Sequence, residues 1–159
     1  MSISPMEIRF LADCMLGRLA KWLRVMGFDT HYQPFYKEGV INNLVHAGRM
    51  LLSRHRSVIN RYSSSMLILS DHVKEQLQEI QREGYFRGEW PKWFTRCLIC
   101  NTPLKNVSIE DALENIPEYV FYQTVKRVRF CPSCTQYFWP GSHKDRMINQ
   151  LEEWGFKPP

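Results

Sequence analysis

Long apolar runs are missing from this sequence. No window approaches the roughly 18 consecutive apolar residues that a membrane-spanning helix requires. The first ten residues carry Glu7 and Arg9 and lack an apolar leader segment, so secretion is not expected and a cytoplasmic location is. Internal repeats and low-complexity tracts are also absent, which argues against a repeat architecture. A concentrated block of one charge is lacking too. Residues 1–90 hold 12 Lys and Arg against 9 Asp and Glu, and residues 91–159 hold 9 against 7. The net charge of +5 is therefore spread along the chain, and by itself it is a weak pointer to nucleic acid.

What is present suits a folded chain. The 159 residues, 44% hydrophobic and 23% charged, suffice for one average domain or two small ones. Enough apolar surface is available to offset the conformational entropy lost on folding, so extended disorder is not expected.

Five cysteines carry the first chemical signal. Cys14 stands alone and reads as a buried small residue. Cys97-Leu98-Ile99-Cys100 and Cys131-Pro132-Ser133-Cys134 form two C-x-x-C pairs, both within turn-forming sequence. Two intervening residues let one tight turn aim both sulfurs at an ion about 2.3 Å away. A single such pair would suit a redox dithiol, and that reading stays as an alternative. Two pairs in a reducing compartment point instead to one structural Zn²⁺ held by Cys97, Cys100, Cys131 and Cys134. Four thiolates leave no open position on the ion for chemistry, and together with the ion they lower the net charge by about 2. The stretch between the pairs is long for a ribbon, so an insertion is expected over Val107 to Tyr119.

Residues 1–90 alternate apolar runs with helical periodicity, the pattern of an α/β domain with a parallel sheet. Strands are expected at Ile8–Ala12, Thr30–Tyr32, Arg49–Ser53 and Met66–Leu69. Helices are expected at Met15–Met26, Val40–Ala47 and Asp71–Arg82, the first closed by Gly27. Gly84 to Trp93 breaks the pattern, and residues 91–159 then read as a zinc ribbon with a C-terminal helix from about Ser142. Tyr119 to Val125 and Val128 to Phe130 look strand-like within it. In open parallel sheets ligands bind beyond the carboxyl ends of the strands. Asp13, Asp71 and the segment Ser53-Arg54-His55-Arg56 fall at such ends, and Glu38 precedes the helix leading into the third strand. Carboxylates gathered there would hold Mg²⁺ or Mn²⁺ for phosphodiester cleavage; alternatively, Asp13 and Asp71 are helix caps. Arg18, Lys21 and Arg24 recur at every third position of the first helix, as a phosphate-contacting stripe or as an ordinary solvated face. Trp90, Trp93 and Trp139 either stack on bases or glue the modules together.

Several strings taken together resemble a known family. Phe10-Leu11-Ala12-Asp13-Cys14-Met15-Leu16-Gly17-Arg18-Leu19-Ala20-Lys21-Trp22-Leu23-Arg24 is similar to the opening of the Mut-seven C-terminal RNase domain family. Gly27-Phe28-Asp29-Thr30, Gly48-Arg49-Met50-Leu51-Leu52-Ser53-Arg54, the two C-x-x-C pairs and Tyr137-Phe138-Trp139-Pro140-Gly141-Ser142-His143 continue the resemblance in order. It implies a PIN-like nuclease domain of parallel sheet and flanking helices, followed by a zinc ribbon, acting on RNA. Asp13, Glu38 and Asp71 would match its acidic positions, with Arg18, Lys21 and Arg54 on the RNA backbone. Where the family usually reads T-R-D, this chain reads Ser53-Arg54-His55, so a histidine replaces a carboxylate and favours Mn²⁺ over Mg²⁺. That departure supports a rival expectation, a catalytically weakened module that binds RNA or a protein partner.

Overall fold

The structure, a computed structural model, describes residues 8–86 and 92–158. Trp90, one of the tryptophans singled out above, lies outside them. The chain divides into two compact units, residues 1–101 and residues 102–158.

The first unit is built on a four-stranded parallel sheet in the order β2-β1-β3-β4, with β1 at Phe10–Ala12, β2 at Thr30–Tyr32, β3 at Met50–Ser53 and β4 at Ser65–Leu67. Helices α1 (Gly17–Val25), α2 (Val40–His46), α3 (Arg56–Ile59) and α4 (Val73–Arg82) follow the strands in turn. A parallel sheet covered on both faces has no solvated side, which is why the central strands are continuous apolar runs. Phe10, Leu11 and Ala12 of β1 and Leu51 and Leu52 of β3 are fully buried. Leu19 and Leu23 of α1 and Leu77 and Ile80 of α4 bury their apolar stripes with them. Each such side chain removed from water contributes about 1.5–3 kcal/mol before entropy is counted.

Several expectations change here. Helix α1 begins later than its periodicity suggests, because Asp13 to Leu16 form a turn closed by Leu16 N–H on the Asp13 carbonyl (3.0 Å). Cys14, expected inside, is exposed on that turn. Arg24, expected on a solvated or phosphate-binding stripe, is only 5% exposed. It turns inward because its guanidinium finds carbonyl partners within the unit, described below. Neither Asp13 nor Asp71 caps a helix: Leu16 and His72 occupy the N-cap positions of α1 and α4, without a side-chain cap bond.

The second unit holds a three-stranded antiparallel sheet, β5 (Lys105–Asn106), β6 (Arg129–Cys131) and β7 (Gln136–Phe138), ordered β5-β6-β7. Helices α5 (Ile109–Asn115) and α6 (Glu118–Thr124) occupy the excursion between β5 and β6, and α7 (Ser142–Glu153) closes the chain. Ser108 caps α5, its hydroxyl accepting the Asp111 N–H at 3.2 Å. Of residues Tyr119 to Val125, which read as a strand, Tyr119 to Thr124 form α6 instead and Val125 opens a short 3-10 turn. Short runs of aromatic and β-branched residues do not distinguish the two periods, and burial of Val120 against Ala112, Ile116 and Val128 selects the helical one. Tyr119 and Tyr122 consequently face solvent. The C-terminal helix includes Ser142 as its first residue, with Gly141 rather than Ser142 at the N-cap and Trp154 at the C-cap.

Candidate functional site

Strand order places a topological switch between β1 and β3: the chain leaves β1 towards β2 and leaves β3 towards β4. Ligands of open α/β sheets bind in the crevice beyond such a point, because the diverging connections leave room there. Asp13 follows β1 directly, and Ser53 ends β3. The buried Ser53 hydroxyl donates to Asp13 Oδ2 and accepts the His55 N–H at 3.1 Å, while Asp13 Oδ1 accepts the Met15 N–H at 2.9 Å. Asp13 is 6% exposed, so its carboxylate is oriented before any ligand arrives. The exposed His55 ring stands at the rim, its Nε2 3.2 Å from Met15 Sδ.

Two tyrosines complete the turn. Tyr36 donates to the Ala12 carbonyl at 2.7 Å and accepts the Gln33 N–H at 3.0 Å, and Tyr32 donates to the Cys14 carbonyl at 3.1 Å. Burial pushes the Tyr36 hydroxyl up to about 12, opposed by the Gln33 N–H and reinforced by the charge of Asp13. It remains a neutral donor that fixes the end of β1.

The remaining expected site residues are dispersed. Asp71 is exposed and pairs with Arg54 Nη2. Glu38 is exposed and lines a separate cavity of about 230 Å³ with Tyr36, Val58, Arg61 and Tyr62. Arg18 and Lys21 are exposed on α1, whereas Arg24 is committed to the interior, donating to Thr30 O (2.9 Å) and to the Leu98 and Ile99 carbonyls (3.1 Å each). Trp93 is half-buried and Trp139 is at the edge of exposure. Ser53 and Tyr36 are the partners that sequence reasoning missed. A hydroxyl at the end of a buried strand is a signal for Ser53, but nothing local marks Tyr36, 24 residues from its carbonyl partner.

Among the described residues, one set of three or more His, Cys, Asp or Glu ligands stands at metal-binding spacing. The sulfurs of Cys97, Cys100, Cys131 and Cys134 all lie within 4.8 Å of one another. A tetrahedral S₄ site with bonds of about 2.3 Å places its sulfurs about 3.8 Å apart, so the donor set fits Zn²⁺. Both knuckles share one backbone form. Asn101 N–H bonds to Cys97 O (2.9 Å), and Thr135 N–H to Cys131 O (2.8 Å). Asn101 and Thr135 each take a positive φ, 73° and 57°. Cys134 N–H also donates to Cys131 Sγ at 3.3 Å.

The Mut7-C RNAse domain family matches residues 8–151 of the chain. No curated protein and no solved structure gives a significant match. No helix among the described residues is long and apolar enough to cross a membrane.

Proposed function

The chain belongs to the Mut7-C RNAse domain family, and from that premise we propose that it cleaves RNA phosphodiester bonds at the β1/β3 switch point. The observation that carries this reading is Asp13, buried and aimed by Ser53 and Met15 at the carboxyl end of the sheet. Arg18 and Lys21 on α1 hold backbone phosphates, and Arg54 adds a third cation on the β3 side. The His55 imidazole moves a proton there.

Among the described residues, the acidic side chains form no closed cage for a divalent ion. Asp13 spends two of its about four lone-pair sites on Ser53 and Met15 and keeps the others. That suits the open type of Mg²⁺ or Mn²⁺ site, with one or two carboxylates and the rest water and substrate phosphate. Asp13 would hold such an ion, with Asp71 joining once released from Arg54; Glu38 is set apart in its own cavity. Bound there, the ion would neutralise phosphate charge and lower the pKa of a water. The structural Zn²⁺ belongs to the cysteines and does no chemistry.

A second reading has an observation of its own. The acids are dispersed and His55 stands where the family resemblance implies a carboxylate, which favours a module that binds RNA without cutting it. One experiment separates the two: RNA cleavage with Mg²⁺, Mn²⁺ or EDTA, comparing wild type with Asp13→Asn. Product from wild type that falls at least about 100-fold in the variant supports the nuclease. Equal products from both proteins sink it at this site, and RNA binding without product supports the binding module.

A further inference from the structure

The segment Leu69-Ser70-Asp71 links β4 to α4 and belongs to neither, yet α4 reaches back to hold it. The Leu69 N–H donates to Glu79 Oε2 at 2.9 Å and the Ser70 N–H to Glu79 Oε1 at 2.8 Å. Gln76 Nε2 donates to the Ser70 carbonyl at 2.9 Å. Glu79 and Gln76 are both buried, 8% and 6% exposed, and sit beside Leu77 and Ile80 on the inward face of α4. Among the described residues no Lys, Arg or His pairs with Glu79. A carboxylate buried without a counter-ion is costly, and here two charge-assisted bonds from backbone amides offset that cost. From the opposite side, Arg54 Nη2 reaches the Leu69 carbonyl at 3.4 Å and the Asp71 carboxylate. Three backbone groups of a short irregular segment are thus fixed by two side chains one helical turn apart.

We propose that Glu79, assisted by Gln76, is a positioning residue for Asp71, holding the 69–71 backbone so that the Asp71 carboxylate stays at the carboxyl edge of the sheet on the Arg54 side. The proposal rests on the ribonuclease reading above. Geometry of the kind needed for catalysis is sensitive to displacements of about 1 Å, and an untethered loop end would not keep it. Glu79 touches neither RNA nor an ion; it acts through the backbone on which Asp71 is mounted.

The test is Glu79→Gln, which keeps the shape but can accept only one of the two N–H groups. Faster amide hydrogen exchange is expected at Leu69 and Ser70, with little change in exchange across β1 and β3. The kcat for RNA should fall roughly 10- to 100-fold with a smaller change in KM, because Arg18 and Lys21 are untouched and Arg54 alone among the phosphate contacts borders the loosened segment. Combined with Asp71→Asn, Glu79→Gln should cost nothing further. Equal losses in the two backgrounds overturn the proposal, and so does an unchanged kcat despite faster exchange. Should Glu79→Gln fail to fold, Gln76→Ala removes only the Ser70 carbonyl bond and is held to the same outcomes at reduced size. A wild-type chain that yields no product with any ion ends the ribonuclease reading and the positioning role with it. Activity that is lost in Asp13→Asn but kept in Glu79→Gln ends only the positioning role.

Discussion

Arg24 and Ile99 lie 75 residues apart, and the guanidinium of the first donates to the carbonyl of the second at 3.1 Å. The same side chain holds Leu98 O and Thr30 O, so one buried arginine ties α1, β2 and the first cysteine knuckle within a single unit. Burial lowers its pKa, and the neighbouring Cys100 and Cys97 act in the opposite direction. It remains a cation, as arginine does in proteins. Replacing it by Met would leave three carbonyls without their donor. Bonds to a charged donor are worth about 1.5–3 kcal/mol each and are not additive, so Arg24→Met should cost roughly 3–5 kcal/mol in urea unfolding. Arg24→Lys should recover only part of this, since one ammonium cannot span the fork.

A neighbouring carboxylate gives the fold a defined acid sensitivity. Burial pushes the Asp29 carboxyl up, but Asn101 Nδ2 at 2.7 Å and Arg49 Nη1 at 2.8 Å outweigh it, and the net shift is downward from 3.8. A folded-state value below the unfolded one means that ionised Asp29 stabilises the protein. That contribution is present above 3.8 and is lost as the pH falls through the folded value beneath it. Asp29→Asn should therefore be less stable than wild type at neutral pH, by about 1–3 kcal/mol. The gap should narrow as the pH falls below 3.8. A gap of constant size across that range would show that the carboxylate charge is not what matters.

The parts of this fold that were legible in the sequence are those fixed by local periodicity. The apolar runs around Leu11 and Leu51 announce buried parallel strands, and Leu19 and Leu23 announce the inner face of α1. The cysteine spacing announces a metal. What was not legible depends on partners far along the chain. Arg24 continues the rhythm of Arg18 and Lys21, and only the carbonyls near residue 98 distinguish it from them. No sequence motif marks Glu79, whose partners are the amides of residues 69 and 70, ten and nine positions away. In the site, Asp13 was visible as an acid ending a strand, whereas its orientation by Ser53, 40 residues away, was not.

Gly17 is required by a neighbour rather than by its backbone. A Cβ built there would lie 2.8 Å from the Tyr32 Oη and 2.9 Å from its Cζ. Tyr32 cannot simply retreat, because its hydroxyl holds the Cys14 carbonyl beside Asp13. Gly17→Ala should therefore destabilise by roughly 1–3 kcal/mol through overpacking, although alanine is the better helix former. Adding Tyr32→Ala should restore most of that loss while removing the Cys14 bond. If Gly17→Ala alone raises the thermal midpoint, the tyrosine is freer to move than this packing allows.

The zinc site gives the sharpest chemical test. Cys97 and Cys131 are fully buried, and four sulfurs at mutual distances within 4.8 Å carry a large repulsion if ionised without a cation. A single Zn²⁺ would remove that repulsion and supply folding free energy that the small second unit, with a core cluster of Ala112, Ile116, Val120 and Val128, has little means to replace. Elemental analysis should find close to one zinc per chain. Cys131→Ser should lower that content and destabilise residues 102–158, seen as faster amide exchange in α5 and α6, and a strong chelator should do the same to wild type. Because metal binding requires thiolates, zinc should also be released as the pH falls. A fully folded, metal-free chain carrying a Cys97–Cys100 disulfide would overturn this assignment and restore the redox reading of the two C-x-x-C pairs.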